Sequence, residues 1–219
     1  ADYLQNIMGF SAIKNGGTNG DVTFRGMFGS RIKMLVDGSE NLGACPNRMD
    51  APTSYIQPES FDQITVIKGP QTVQYATPGS AATVIFQRQP ENLSKEQPYR
   101  GQASVLMGSY GRLDHNIEAA IGDETKYARL NANRSVADDY KDGNDKSIHS
   151  NWERWNTDLA LGWKPTDDSW LELRAAKGDG EAAYAGRSMD GSQFKRESLG
   201  LHAEQKNITE VIIAKHRNG

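Results

Sequence analysis

Residues 37–69 read DGSENLGACPNRMDAPTSYIQPESFDQITVIKG, and this stretch organises the first part of the chain. It opens on Asp37-Gly38, a dipeptide that strongly favours a tight turn between strands. It closes on Ile64-Thr65-Val66-Ile67-Lys68, whose β-branched residues favour a strand, and on Gly69, which ends it. Between these two signals lies Cys45-Pro46-Asn47-Arg48-Met49. The stretch therefore predicts short strands joined by tight turns, with a sulfur-bearing segment between them.

Cys45 and Met49 are candidate metal ligands. Cys45 is the single cysteine among 219 residues, and Met49 follows it four positions later. Pro46 suits the first position of a helix, and one helical turn would place residues i and i+4 on one face. A thiolate and a thioether select monovalent copper over harder ions. From spacing alone a second interpretation stays open, in which Cys45 and Met49 are ordinary buried hydrophobic residues.

Composition and motifs exclude several classes of function. A formal net charge of −3, without a basic run of five or more residues, argues against a nucleic-acid partner. The chain has no Gly-x-Ser-x-Gly, no P-loop and no His-Glu-x-x-His signature, so we expect no enzyme. Apolar runs last only a few residues, which predicts no membrane-spanning helix.

The chain divides into two parts, and turn-forming glycine and proline residues separate short apolar segments in the first of them. Residues 1–90 predict an α+β domain of short strands and one-turn to two-turn helices, and residues 91–97 a polar connector. The helices are expected at 2–8 and within 56–62, and the strands at 22–26, 32–36, 64–68 and 81–86.

Residues 98–219 alternate between apolar and polar side chains, which predicts antiparallel strands. Trp155, Thr157, Leu159, Leu161 and Trp163 share one face of a strand, for example, and Asn156, Asp158, Ala160 and Gly162 share the other. Six or seven strands are expected, at 100–109, 113–122, 125–137, 153–164, 169–177 and 197–205, with a weaker one at 208–214. Alternation alone fits both a soluble sheet with one wet face and a membrane barrel.

Four short sequence motifs resemble the plug domain of TonB-dependent outer-membrane receptors. They are Phe24-Arg25-Gly26, Val36-Asp37-Gly38, Ile64–Pro70 and Gly79-Ser80-Ala81-Ala82-Thr83-Val84. The resemblance implies an α+β plug domain followed by antiparallel β-strands of a partial transmembrane β-barrel. It also implies a Gram-negative outer-membrane location, contact with lipid, and a TonB-type energy-coupling complex as partner.

Within that family, the run Gly43–Tyr55 resembles copper receptors of the OprC/NosA type. The resemblance implies that Cys45 and Met49 capture copper on the plug, with Cu(I) favoured and Cu(II) as the other state. Met189 is a further candidate ligand, although an exposed loop methionine is the simpler interpretation. The family's His-x-Met ligand pair is not found here, because none of the four histidines is followed by methionine at the second position.

A plugged transporter barrel needs about 22 strands, so the strands expected here cannot close around a plug. We therefore expect a chain truncated at both ends, representing the plug and the first barrel strands. Two other functions stay open. One is a TonB-dependent ferric-siderophore receptor, in which Cys45 is a bystander, and the other is a truncated, non-transporting metal-binding fragment.

Overall fold

The fold consists of a small N-terminal unit and a long antiparallel sheet. The computed structural model describes residues 2–15, 17, 19–43, 51–69, 79–185, 190–191, 194–205 and 208–218. The N-terminal unit contains helix α1 (Asp2–Gln5) and strands β1 (Phe10–Asn15), β2 (Asn19–Phe24), β3 (Ile32–Val36), β4 (Ser39–Glu40), β5 (Gln63–Lys68) and β6 (Ala82–Gln87). Three short 3₁₀ helices cover Gly29–Arg31, Pro52–Tyr55 and Pro58–Ser60.

A four-stranded mixed sheet forms the centre of the N-terminal unit. Its strand order is β4-β3-β6-β5, and β3 runs parallel to β6 with Met34 opposite Val84. The β1–β2 hairpin packs beside it, and apolar side chains from both pieces form one core. Phe10 and Phe24 contact each other in that core, with ring centroids 4.9 Å apart. The strands expected at 32–36, 64–68 and 81–86 are confirmed.

The start of the chain departs from the expectation. The helix predicted over 2–8 ends at Gln5, because turn bonds follow it: the Ile7 N–H donates to the Leu4 carbonyl and the Phe10 N–H to the Ile7 carbonyl, each at 3.0 Å. These turns lead directly into β1, a strand that the sequence pattern did not indicate. Pairing with β2 creates it, which is a case of tertiary context overriding local propensity.

Seven long strands form the second element, which we call the wall. They are β7 (Tyr99–Met107), β8 (Leu113–Gly122), β9 (Lys126–Ala137), β12 (Trp152–Thr166), β13 (Ser169–Ala182), β14 (Arg196–Gln205) and β15 (Ile208–Asn218). The wall is antiparallel throughout, in the order β15-β14-β13-β12-β9-β8-β7, and it is open at both edges. The six main strands expected from the alternation are confirmed. The weaker strand expected at 208–214 is also present, and it is longer than expected, because β15 pairs with β14 along most of its length.

The wall's connections differ in length between its two ends. At one end, which we call the short-turn end, residues 123–125 join β8 to β9 and residues 167–168 join β12 to β13. At the other, the long-loop end, residues 138–151 and 183–195 form long excursions. The first excursion contains a small hairpin of β10 (Tyr140–Lys141) and β11 (Ser147–Ile148). The second begins only after Ala182, because β13 continues beyond the strand expected at 169–177.

The two faces of the wall have different chemistry. The outward face carries exposed apolar residues, and those of β12 are Trp155, Leu159, Leu161 and Trp163. The inward face carries polar and charged residues that the N-terminal unit covers, among them Arg129, Asn131 and Glu172. Each strand therefore alternates as the sequence predicted. In the described part of the chain no helix is both long and apolar enough to span a membrane.

Candidate functional site

The described residues on either side of 44–50 are held tightly. Asn41 donates from its side-chain amide to the Pro52 carbonyl at 2.9 Å, which ties the two flanks together. Thr53 donates its hydroxyl to the Gly20 carbonyl, and this bond fixes the 3₁₀ helix Pro52–Tyr55 to β2. Pro52 stands at the first position of that helix, where its missing N–H costs nothing. The described residues that flank 44–50 are therefore anchored at one place.

An aromatic cluster connects this place to the long-loop end of the wall. Tyr55 meets Phe194 edge to face, with ring centroids 6.3 Å apart. Tyr184 and Ala182 complete the buried cluster, and Trp152 packs against it. Edge-to-face aromatic pairs add roughly 0.5–1.5 kcal/mol beyond the area that they bury. The segment after residue 50 and the loop after β13 therefore share one anchor.

The sulfur ligands proposed from the sequence lie outside the described residues. Cys45 and Met49 fall within 44–50, and Met189 falls within 186–189. What the structure brings together is the flanks of these two segments, through Tyr55, Tyr184 and Phe194. In the described ranges no group of three or more His, Cys, Asp or Glu side chains could hold a metal ion.

Below this anchor, charged side chains join the N-terminal unit to the wall, and Arg88 is central among them. Its guanidinium contacts Asp37 at 2.9 Å and Asp158 of β12 at 3.3 Å, and its Nε donates to the Ser60 carbonyl at 2.9 Å. It also lies over the Phe61 ring, 4.3 Å from the centroid. Burial opposes the charge on Arg88, but the surrounding carboxylates outweigh it and raise the pKa of Arg88.

Glu172 of β13 forms a second charged contact. It is 0% exposed, and it accepts hydrogen bonds from Tyr127 and Arg174. Arg174 also pairs with Asp37 of the N-terminal unit. Gly162 makes this arrangement possible, because a Cβ at that position would lie 2.1 Å from the Tyr127 ring. A carboxylate buried this deeply is tolerated only with such partners.

Two further contacts extend the same network. Arg129 of β9 pairs with Glu91 at 3.0 Å and donates to the Gln89 carbonyl at 3.3 Å. Arg196 of β14 contacts Asp158 at 3.4 Å and donates to the Tyr55 carbonyl at 3.4 Å. Four wall strands thus reach the N-terminal unit through arginine or carboxylate side chains.

The two excursions at the long-loop end are joined by His149. Its Nε2 lies 2.8 Å from Asp190 Oδ2, and its Nδ1 lies 3.9 Å from Asp139. The hydrogen bond to Asp190 and the charges of both carboxylates raise the pKa of His149. The same bond lowers the pKa of Asp190, whose other oxygen accepts the Tyr184 N–H at 3.1 Å.

Two cavities lie along the wall between these features. One of about 680 Å³ opens among the loops, beside Tyr110, Tyr140 and Trp152. The other, of about 470 Å³, lies deeper, between the N-terminal unit and β7, β8, β9 and β12. Trp152 and Arg112 line both, so the two cavities adjoin.

Sequence reasoning did not identify the charged network. Asp37 was interpreted only as a turn residue, and it does adopt the left-handed conformation at φ 48°. The inward arginines and glutamates of β9, β12 and β13 were recognised only as the polar half of an alternation. The sequence did contain a signal for it, because charged residues recur on the strand face opposite the apolar one. Charged side chains on a buried face need ion-pair or hydrogen-bond partners.

Comparison with known proteins assigns these features to a family. The sequence profile of the family described as TonB-dependent Receptor Plug Domain matches residues 1–83. Among solved structures, the copper transporter OprC is 51% identical with a TM-score of 0.92, and the match covers 99% of this chain and 34% of that one. No curated protein sequence matched the chain.

Two more distant structures share the fold. The FrpB iron transporter from Neisseria meningitidis is 12% identical with a TM-score of 0.75, over 98% of this chain and 37% of that one. The siderophore receptor PirA from Acinetobacter baumannii is 17% identical with a TM-score of 0.65, over 98% and 36%. The chain therefore spans about a third of the length of the structures that it matches. It belongs to the TonB-dependent receptors, with the N-terminal unit as their plug domain and the wall as strands of a partial transmembrane β-barrel.

Proposed function

We propose that this chain is part of a TonB-dependent outer-membrane receptor for copper, in which Cys45 and Met49 capture the ion on the plug. The observation that carries the proposal is the 51% identity with a copper transporter over 99% of this chain. The more distant neighbours, at 12% and 17% identity, support the fold alone.

The anchored flanks support the position of the site. The described flanks of residues 44–50 lie at the Asn41–Pro52 hydrogen bond, and the described flanks of the segment that carries Met189 include Tyr184 and Phe194. Tyr55 packs against both of the latter, so two sulfur-bearing segments share one anchor at the long-loop end. Met189 is therefore our candidate for a third ligand.

Soft sulfur ligands determine the chemistry that we expect. A thiolate and a thioether favour Cu(I), and Cu(II) would bind there less well. Because the thiol of Cys45 must lose its proton to bind, copper affinity should fall at low pH. We further propose that the wall's outward apolar face contacts outer-membrane lipid, and that a TonB-type complex supplies the energy for release.

The test is copper stoichiometry in the complete receptor, measured by plasma mass spectrometry. We expect Cys45→Ala to remove most bound copper and Met49→Ala to weaken binding by less, since a thiolate is the stronger ligand. Met8→Ala is the matched control, because Met8 lies on the plug and is 88% exposed. Unchanged stoichiometry in Cys45→Ala would overturn the site, and growth rescue by a ferric chelate but not by copper would favour a siderophore receptor.

A further inference from the structure

One side of the deeper cavity is formed by a row of polar residues on adjacent strands. Ser104, Asn116 and Asn133 line it and stand opposite one another on β7, β8 and β9, and Asn156 continues the same row on β12. The plug supplies the opposite side, including Thr53 and Gln57. At about 470 Å³ the cavity falls within the range of small-molecule sites, which is roughly 300–1,000 Å³.

Arg154 of β12 brings an unpaired positive charge to this cavity. Its one hydrogen bond among the described residues goes to the Ser54 carbonyl at 3.3 Å, and the carboxylate whose charge acts on it, Asp114, lies beyond ion-pair distance. Asp114 also lines the cavity, but Arg112 contacts one of its oxygens at 2.7 Å and Ser135 donates to the other. A largely enclosed cation normally has an anionic partner.

Two side-chain amides of the row also have a buried atom without a hydrogen-bond partner among the described residues. Asn133 is 9% exposed, and Asn156 donates to its carbonyl oxygen at 3.3 Å, so the buried Nδ2 keeps its hydrogens without an acceptor in the described structure. Asn116 is 4% exposed, and its buried Oδ1 lacks a donor there. Leaving such groups unsatisfied costs about 1–3 kcal/mol each, so a bound molecule that satisfies them is favoured.

We propose that this cavity binds a small carboxylate that carries a hydroxyl or amino group beside the acid. The guanidinium of Arg154 and the Nδ2 of Asn133 donate to the carboxylate, and the Oδ1 of Asn116 accepts from the hydroxyl or ammonium. One unpaired guanidinium matches one negative charge. The site uses none of the sulfur ligands and stands independently of the proposed copper function.

Three ligands with one carbon skeleton test the proposal: lactate, alanine and propionate. Equilibrium dialysis of each labelled compound against the complete receptor in detergent gives its dissociation constant. We expect lactate or alanine to bind about fivefold more tightly than propionate, the worth of one net hydrogen bond. The tighter of the two identifies the group beside the acid, and no measurable binding of either would overturn the site.

Variants assign the roles. Arg154→Gln should weaken lactate and alanine at least about tenfold, since a charged hydrogen bond is lost. Asn116→Leu should abolish the preference over propionate while leaving propionate unchanged, so the test does not depend on the Arg154 variant alone. Lys126→Gln, which removes an exposed cation at the short-turn end, is the control and should bind as the unmodified receptor does.

Equal binding by the receptor and its Arg154→Gln variant would overturn the proposal. Copper content measured on the same samples separates the two functions. The Cys45→Ala variant should lose copper and keep lactate or alanine binding, whereas a receptor without copper that still binds the carboxylate would reject only the copper assignment.

Discussion

The interior of the plug and its contact with the wall are built from opposite chemistry. The interior buries apolar side chains from the β1–β2 hairpin and the four-stranded sheet, including Phe24, Met34 and Val84. The contact relies mainly on charges, with Arg88 and Asp37 on the plug meeting Asp158 and Arg174 on the wall. One domain therefore presents an apolar centre and an ionic surface.

The difference affects how each region comes apart. Burial of apolar surface stabilises the fold by roughly 25 cal/mol per Å², and this stabilisation is lost when the surface is exposed to water. A buried ion pair first pays for desolvation, so its net contribution is small even though losing one partner is costly. Water can solvate both partners once they separate. We infer that the plug can leave the wall as a folded unit, since the contact opens at lower cost than the core.

The largest expected effect comes from breaking the interior. Phe24→Ala removes a ring that is 2% exposed and packed against Phe10, and it should destabilise the plug by about 3–5 kcal/mol. Hydrogen exchange of the β3 and β6 amides in the complete receptor measures the loss. Thr65→Ala, on a partly exposed strand position of β5, is the control and should change protection little.

A smaller effect, at a different place, comes from breaking the contact. Asp158→Ala leaves Arg88 and Arg196 without this carboxylate and should weaken docking of the plug by about 3 kcal/mol. Limited proteolysis of the connector at residues 91–97, followed over a urea series, reports docking. Exchange at β3 and β6 should stay close to that of the unmodified receptor.

Glu153→Ala is the control for this variant. It breaks an exposed pair with Arg134, which is worth at most about 1 kcal/mol. If Asp158→Ala instead lowered protection of β3 and β6 as much as Phe24→Ala does, core and contact would form one cooperative unit. The proposed separation of the two regions would then be wrong.

The strands of the wall could be predicted because their information is local. Alternation with period two fixes which residues of β12 face outward, and the structure confirms this for Trp155, Leu159 and Trp163. The partners of the inward residues could not be predicted, because a partner depends on register between strands. Nothing near Glu172 in the sequence indicates that Tyr127, forty-five positions earlier, donates to it.

The plug shows the same limit in another form. Strands β3, β5 and β6 have β-branched sequences and were expected, whereas β1 exists because it pairs with β2. At the candidate site, sequence words led to Cys45 and Met49, and these remain predictions. The amides of Asn116 and Asn133 and the guanidinium of Arg154 could be recognised as one site only when adjacent strands placed them around one cavity.

The smallest expected effect concerns a third kind of contact, which is neither an apolar core nor a buried ion pair. It is the exposed pair of His149 and Asp190. Because the pKa of His149 is raised above 6.5, the stabilisation from its protonated form is fully present below that value and disappears as pH rises through the raised pKa. Because the pKa of Asp190 is lowered below 3.8, its contribution disappears only as pH falls through that lowered value. The pair should therefore hold the two loops together in mildly acid solution.

The Tyr184 amide, which donates to Asp190, reports the state of this pair. Corrected for intrinsic exchange, its protection should be modestly greater at pH 6 than at pH 9, and His149→Gln should remove the difference. The Thr125 amide is the matched control, because it is also held by an aspartate, Asp123, at 2.8 Å but faces no histidine among the residues that hold that turn. Equal protection of Tyr184 at both pH values would show that contacts that do not titrate hold the two loops together, such as the hydrogen bond from the Ala183 N–H to the Asn151 carbonyl at 2.8 Å.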